Sequence, residues 1–165
     1  MKHWTLACLL GVSLFSACSS SDDSKKAGGT TTDVSGGGGA AGGRHAAPGS
    51  QEDLTDSAGD RIFFDTDRSS LTAQATATLD RQAAWLQQYP QVNVWVAGNC
   101  DERGTEEYNL ALGQRRANAD RDYLVAHGIQ RTRIETISYG KSRPIDAAST
   151  PEAWAQNRNA ITSVR

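Results

Sequence analysis

The chain has 165 residues, of which 38% are hydrophobic, with 17 Lys+Arg against 19 Asp+Glu. That length supports one domain and not two large ones. The near-balanced charge excludes a strongly basic nucleic-acid binder, because neutralising phosphates needs a concentrated positive surface, and no apolar run reaches the roughly 18–20 residues of a membrane-spanning helix.

Lys2 and His3 precede an apolar stretch from Trp4 to Phe15, which has the form of a signal peptide over 1–17. The following Leu14-Phe15-Ser16-Ala17-Cys18 resembles the lipobox of bacterial lipoproteins, with Phe15 where Leu is commoner. The resemblance implies acylation at Cys18 and anchoring in lipid. Ser19 rather than Asp after the cysteine resembles the sorting signal for the outer membrane. The same residues also allow an ordinary secretory signal cut near Ala17. Of the three cysteines, Cys8 leaves with the signal and Cys18 carries lipid, so Cys100 has no partner for an intrachain disulfide.

Residues 18–60 form an expected tether, rich in Ser, Gly, Thr and Asp, with an unbroken glycine run from Gly36 to Gly39. Such composition cannot bury enough apolar surface to offset chain entropy. A flexible segment over 19–60 has a root-mean-square span of roughly 35–40 Å. No strand pattern precedes the glycines, so they are not a phosphate-binding loop.

A foldable pattern covers 61–165. Ile62-Phe63-Phe64 reads as a short strand. Thr72 caps a helix with an apolar face at Ala75, Leu79, Ala83 and Leu86, ended by Pro90. Val92, Val94 and Val96 alternate with Asn93 and Trp95 as a strand closed by Gly98. A longer helix starts near Thr105, where Glu106 and Glu107 suit the positive end of its dipole, and stops at His127-Gly128. A strand at about 133–139, a loop at 144–150, a short helix opened by Pro151 and a strand at 160–164 complete the pattern. Alternating strands and helices predict an α/β domain with one sheet covered by helices on one face.

The run from Gly98-Asn99-Cys100-Asp101-Glu102-Arg103-Gly104-Thr105 through Tyr108-Asn109-Leu110-Ala111-Leu112-Gly113-Gln114-Arg115-Arg116-Ala117 is similar to the signature of the OmpA C-terminal-like family, and to its lipoprotein branch in particular. Phe64-Asp65, Ile137-Ser138-Tyr139-Gly140-Lys141 with Pro144, and Asn157-Arg158 match as well. The resemblance implies a βαβαβ(α)β sandwich with a mixed sheet, and non-covalent binding of peptidoglycan through the diaminopimelate of its stem peptide. By the same matching, Asp101 accepts from the ligand ammonium and Arg116 donates to its carboxylate. Phe64 and Asp65 line the pocket, with Asn109 and Leu112 beside it and Arg158 near. The implied partners are peptidoglycan, outer-membrane lipid through Cys18, and TolB with other components of the Tol–Pal envelope system. The residues alone also allow a blander reading, with Asp101 capping a nearby N–H and Arg116 a solvated helix arginine.

The chain departs from the family pattern at Ala97, where Glu is common, at Asn99 (His), Cys100 (Ala) and Asn159 (Arg). Gly113 inside a helix costs about 1 kcal/mol and suggests close backbone approach. Enzymatic chemistry is poorly supplied: a Ser–His–acid triad would have to rely on His127. No ligand pair has zinc spacing. Asp101 and Glu102 are chain neighbours and not a spaced acid–base pair. The expectation is a binding module without cofactor or metal.

Overall fold

The computed structural model describes residues 46–165. The signal segment 1–17, Cys18 and the tether up to residue 45 lie outside the described residues. Helices α1 (Gln51–Ser57), α2 (Ala73–Gln88), α3 (Glu106–Ala126) and α4 (Pro151–Asn157) are interleaved with strands β1 (Arg61–Phe63), β2 (Val94–Asn99), β3 (Ile134–Gly140) and β4 (Asn159–Val164). The sheet order is β1-β4-β2-β3. β4 runs antiparallel to both β1 and β2, and β2 is parallel to β3. The expected α/β architecture with a mixed sheet is present. Asn159–Val164 and Val94–Asn99 each extend past the strand ends expected from the alternation of side chains.

The helix termini follow local chemistry. Thr72, Thr105 and Thr150 each accept a backbone N–H three residues on, from Ala75, Tyr108 and Ala153. Pro151 occupies the first turn of α4, where its missing N–H is harmless. His127 ends α3, and Gly128 follows with φ +90°. The core lies between the helices and one face of the sheet. It gathers Leu79, Ala83 and Leu86 of α2, Val94 and Val96 of β2, and Ala117 and Leu124 of α3.

One boundary differs from the sequence reading. The tether was expected to run to residue 60, yet α1 occupies Gln51–Ser57 and buries Leu54 completely. Ser50 caps this helix by accepting from Asp53 N at 3.2 Å. Asp53 in turn accepts from Gly49 N at 2.8 Å and from the Trp85 indole at 3.1 Å. Gln51 Oε1 accepts from Val164 N at 2.7 Å. A lone leucine in a polar stretch has no periodicity to read, so its burial depends on contacts far along the chain.

Helix α3 sits unusually close to β2. A Cβ on Gly98 would stand 1.8 Å from Gly113 O, and one on Gly113 would stand 2.3 Å from Ser138 Oγ. The expected close approach at Gly113 is therefore met by a second glycine across the interface. Gly98→Ala should cost at least ~2 kcal/mol by overpacking, read as a lower urea midpoint.

Asp120 on α3 is fully buried, and neither carboxylate oxygen has a hydrogen-bond partner among the described residues. Burial alone pushes its pKa up to about 7. The folded state then keeps a proton that the unfolded state releases above its ordinary value of 3.8. This group's contribution falls as pH rises from about 4 and is lost above about 7, a change of a few kcal/mol at ~1.4 kcal/mol per pK unit. Asp120→Val should stabilise the protein more at pH 8 than at pH 5 in paired urea titrations.

Candidate functional site

Five of the sequence-predicted residues, Phe64, Asp65, Asp101, Arg116 and Arg158, converge where β1 and β2 end and β4 begins. Arg116, on the sheet-facing side of α3, is 0% exposed. Its Nε donates to Arg68 O at 2.9 Å, its Nη1 to Asn99 O at 2.7 Å, and its Nη2 to Asp65 O at 3.1 Å. Nη1 also reaches Cys100 Sγ at 3.4 Å. The guanidinium lies 5.1 Å from the centroid of the buried Phe64 ring. Burial lowers its pKa, opposed by Cys100 and Asp101. Arg116 is thus neither a solvated helix arginine nor a free donor. Four of its five N–H groups already have acceptors. Its neighbour Arg115 is exposed.

Asp101 is buried in the same region and makes no direct contact with Arg116. Its Oδ1 accepts from Arg103 N at 3.2 Å and Arg103 Nε at 3.1 Å. Its Oδ2 accepts from Arg103 Nη2 at 2.6 Å and Arg158 Nη1 at 3.4 Å. Burial alone would raise its pKa, but the Arg103 side chain and amide, with Arg158, hold the carboxyl below the ordinary value. Arg158 also donates from Nε to Phe64 O at 3.1 Å. Phe64, Asp65, Thr72, Gln74 and Arg158 line a groove of about 390 Å³ beside this cluster.

Asn109 and Leu112 are buried and line no part of that groove. Asn109 Nδ2 instead donates to Arg103 O at 2.8 Å and Thr105 O at 3.1 Å, pinning the loop that carries Asp101. Cys100 is buried, with its Sγ 3.4 Å from Asn109 O, and burial raises its pKa. A buried thiol held neutral is a packing residue and not a nucleophile.

Two participants escape the sequence reading. Arg103 is the main partner of Asp101, and its guanidinium lies 4.4 Å from the Trp154 ring centroid. The Trp154 indole donates to Glu102 Oε1 at 2.9 Å, so α4 fastens the 101–104 loop. Arg103 lies within the quoted motif and could have been weighed there. Trp154 carries no local signal. Two of the departures from the family pattern also meet, because Asn99 Nδ2 donates to Asn159 Oδ1 at 2.8 Å.

Chemically, the cluster offers one carboxylate facing guanidinium groups on two sides. It suits a zwitterionic ligand head. Among the described residues no group of three or more His, Cys, Asp or Glu could hold a metal ion, and no helix is long and apolar enough to cross a membrane.

A model of the OmpA family matches residues 63–158. A peptidoglycan-associated lipoprotein of Rhizobium meliloti (strain 1021) is 57% identical over 117 residues, covering 71% of this chain and 66% of that protein. One from Mesorhizobium japonicum is 56% identical over 119 residues, covering 72% of this chain and 71% of that protein. The crystal structure of the peptidoglycan-associated lipoprotein from Burkholderia pseudomallei superposes with a TM-score of 0.63 at 40% identity, over 64% of this chain and 90% of that one. The C-terminal domain of Helicobacter pylori MotB shares the fold at 20% identity and a TM-score of 0.60.

Arg116→Lys should lower stability by about 3 kcal/mol, because a point charge cannot replace a fork that serves three carbonyls. Amide exchange should quicken at 65–68 and 99–104, while the rest of the sheet keeps its protection. The substitution is a structural lesion and not a clean test of ligand contact.

Proposed function

This chain belongs to the OmpA family, and on that premise we propose that it is a lipid-anchored envelope protein whose folded domain grips peptidoglycan without converting it. The observation that carries the reading is the Asp101 carboxylate, held below the ordinary carboxylate range by Arg103 and by Arg158, which itself lines the Phe64–Asp65 groove. The names of the relatives from Rhizobium, Mesorhizobium and Burkholderia support it.

The ligand group is the free end of diaminopimelate in the stem peptide, an ammonium and a carboxylate on one carbon. Asp101 receives the ammonium, which takes the place of Arg103 Nη2. Arg103 keeps its seat over Trp154 and turns its N–H groups to the ligand carboxylate. Arg158 completes the carboxylate site, with Asp65 and Phe64 at its wall, and the buried Arg116 holds that wall from behind through the Asp65 carbonyl. Each charge-assisted contact contributes roughly 1.5–3 kcal/mol. One set of guanidinium contacts replaces another, so the net grip is specific and reversible.

Cys18 carries the lipid, and residues 19–45 serve as the tether. The anchor lies in the outer membrane, the domain faces the periplasm, and the protein works with TolB in the Tol–Pal system to support envelope integrity and division. TolB competes with peptidoglycan for the Asp101 surface.

Co-sedimentation of the full chain, in mild detergent, with purified sacculi tests the reading. Asp101→Asn should weaken retention roughly 10–100-fold, free diaminopimelate should compete, and no soluble muropeptides should appear. Because Asp101 is held below the ordinary carboxylate range, retention should persist near pH 4 and fall only on further acidification. Retention of Asp101→Asn at the level of the unsubstituted chain would sink the proposal.

A further inference from the structure

The helices cover one face of the sheet, and the other face is open. Along β2 it carries Trp95, Ala97 and Asn99. β3 adds Ile137 and Tyr139, and β4 adds Ile161, together enclosing a cleft of about 450 Å³. Trp95 is 40% exposed. The Arg143 guanidinium lies 3.7 Å from the Tyr139 ring centroid, and Arg165 lies 5.9 Å from that of Trp95. Arg165 is paired with Glu135. No carboxylate pairs with Arg143 among the described residues.

The end of the cleft at Asn99 holds an acceptor without a donor. Asn159 Nδ2 donates to Gln156 O at 2.6 Å, and a carbonyl can only accept. Asn159 must therefore turn Oδ1 toward Asn99, whose Nδ2 donates to it at 2.8 Å. That relay fixes the Asn99 amide and leaves Asn99 Oδ1 buried with no partner among the described residues. Buried acceptors of this kind are rare in native proteins and call for an explanation.

The three features define a ligand. Trp95 and Tyr139 ask for a ring with a C–H-rich face. Asn99 asks for a neutral N–H donor, and Arg143 for an oxygen acceptor. Two linked N-acetylated hexosamines supply all three, one through its pyranose face on Trp95 and its neighbour through an amide N–H at Asn99, with an acetyl carbonyl for Arg143. The position agrees. Asn99 also gives its main-chain carbonyl to Arg116, and Asp101 lies two residues further on. Trp95 and Asn99 are about 13 Å apart at ~3.3 Å per strand residue. Asn99 and Asp101 are two residues apart, at most about 7 Å, within the roughly 10 Å that a stem peptide places between its third residue and its sugar.

We propose that the open face of the sheet is a second subsite, which binds N-acetylated hexosamine units of a glycan strand with Trp95 as the stacking platform and Asn99 as the amide acceptor. The choice of the wall glycan as its source rests on the reading that Asp101 takes the stem peptide.

Calorimetric titration of the full chain in mild detergent with three probes tests it: a stem tripeptide, the corresponding disaccharide–tripeptide, and an N-acetylglucosamine tetramer. The disaccharide–tripeptide should bind at least tenfold more tightly than the tripeptide. Trp95→Ala should abolish that gain and tetramer binding while leaving tripeptide affinity unchanged, and Trp95→Phe should keep most of both. Asp101→Asn should lose the tripeptide and keep the tetramer. Equal affinities for tripeptide and disaccharide–tripeptide would overturn the subsite and leave the Asp101 reading standing. Tripeptide binding indifferent to Asp101→Asn would overturn that reading while the tetramer still tests the cleft. A dimer in sedimentation that dissolves in Trp95→Ala, with glycan binding unchanged, would reassign the face to self-association.

Discussion

A buried cation held by main-chain carbonyls organises this domain. Arg116 has no carboxylate partner. It collects the carbonyls of Asp65, Arg68 and Asn99, which belong to the β1–α2 connection and to the end of β2. A guanidinium removed from water must recover its hydrogen bonds within the protein, and the two loops that supply them are thereby drawn together. The Gly98–Gly113 contact sets the depth at which α3 delivers the side chain. A Cβ at either glycine would force that helix outward, and the guanidinium with it.

The candidate site is neutralised from within. Asp101 is occupied by Arg103 and Arg158, so the proposed ligand would exchange ion pairs and not fill a bare charge. Exchange of this kind would favour a head with both signs, because an ammonium alone would leave Arg103 without an acceptor. Arg103 is the partner free to move: its side chain is 42% exposed, against 15% for Arg158. Trp154 gives it a stacking surface. The loop itself stays in place because Asn109 holds the Arg103 and Thr105 carbonyls and Lys141 Nζ donates to Gly104 O at 2.8 Å.

Three of the residues that depart from the family pattern are related in space. Ala97 and Asn99 line the open face of the sheet, and Asn159 is hydrogen-bonded to Asn99. The small Ala97 leaves room in the floor of that cleft, and the paired amides close one end of it. Three of the departures thus share one surface beside the Asp101 loop, where Asn159 fixes the amide that lines the cleft.

Local chemistry in the sequence was enough to determine every element except the first helix. Thr72, Thr105 and Pro151 start helices through capping and fixed φ, Gly128 follows the end of one, and the alternation of Val94, Trp95 and Val96 marks a half-buried strand. These signals act over a few residues and are readable there. Helix α1 was not legible, since Leu54 is its single buried apolar residue and the helix is held to α2 and β4 through Asp53 and Gln51. The fate of Arg116 against Arg115 was decided only by the rotation of α3 on the sheet, which buries one guanidinium and exposes the next. The pairing of Asn99 with Asn159 spans 60 positions, and the orientation of its leftover oxygen depends on Gln156. Charge and hydrogen-bond satisfaction are settled by neighbours in space, and a one-dimensional pattern carries no distance between them.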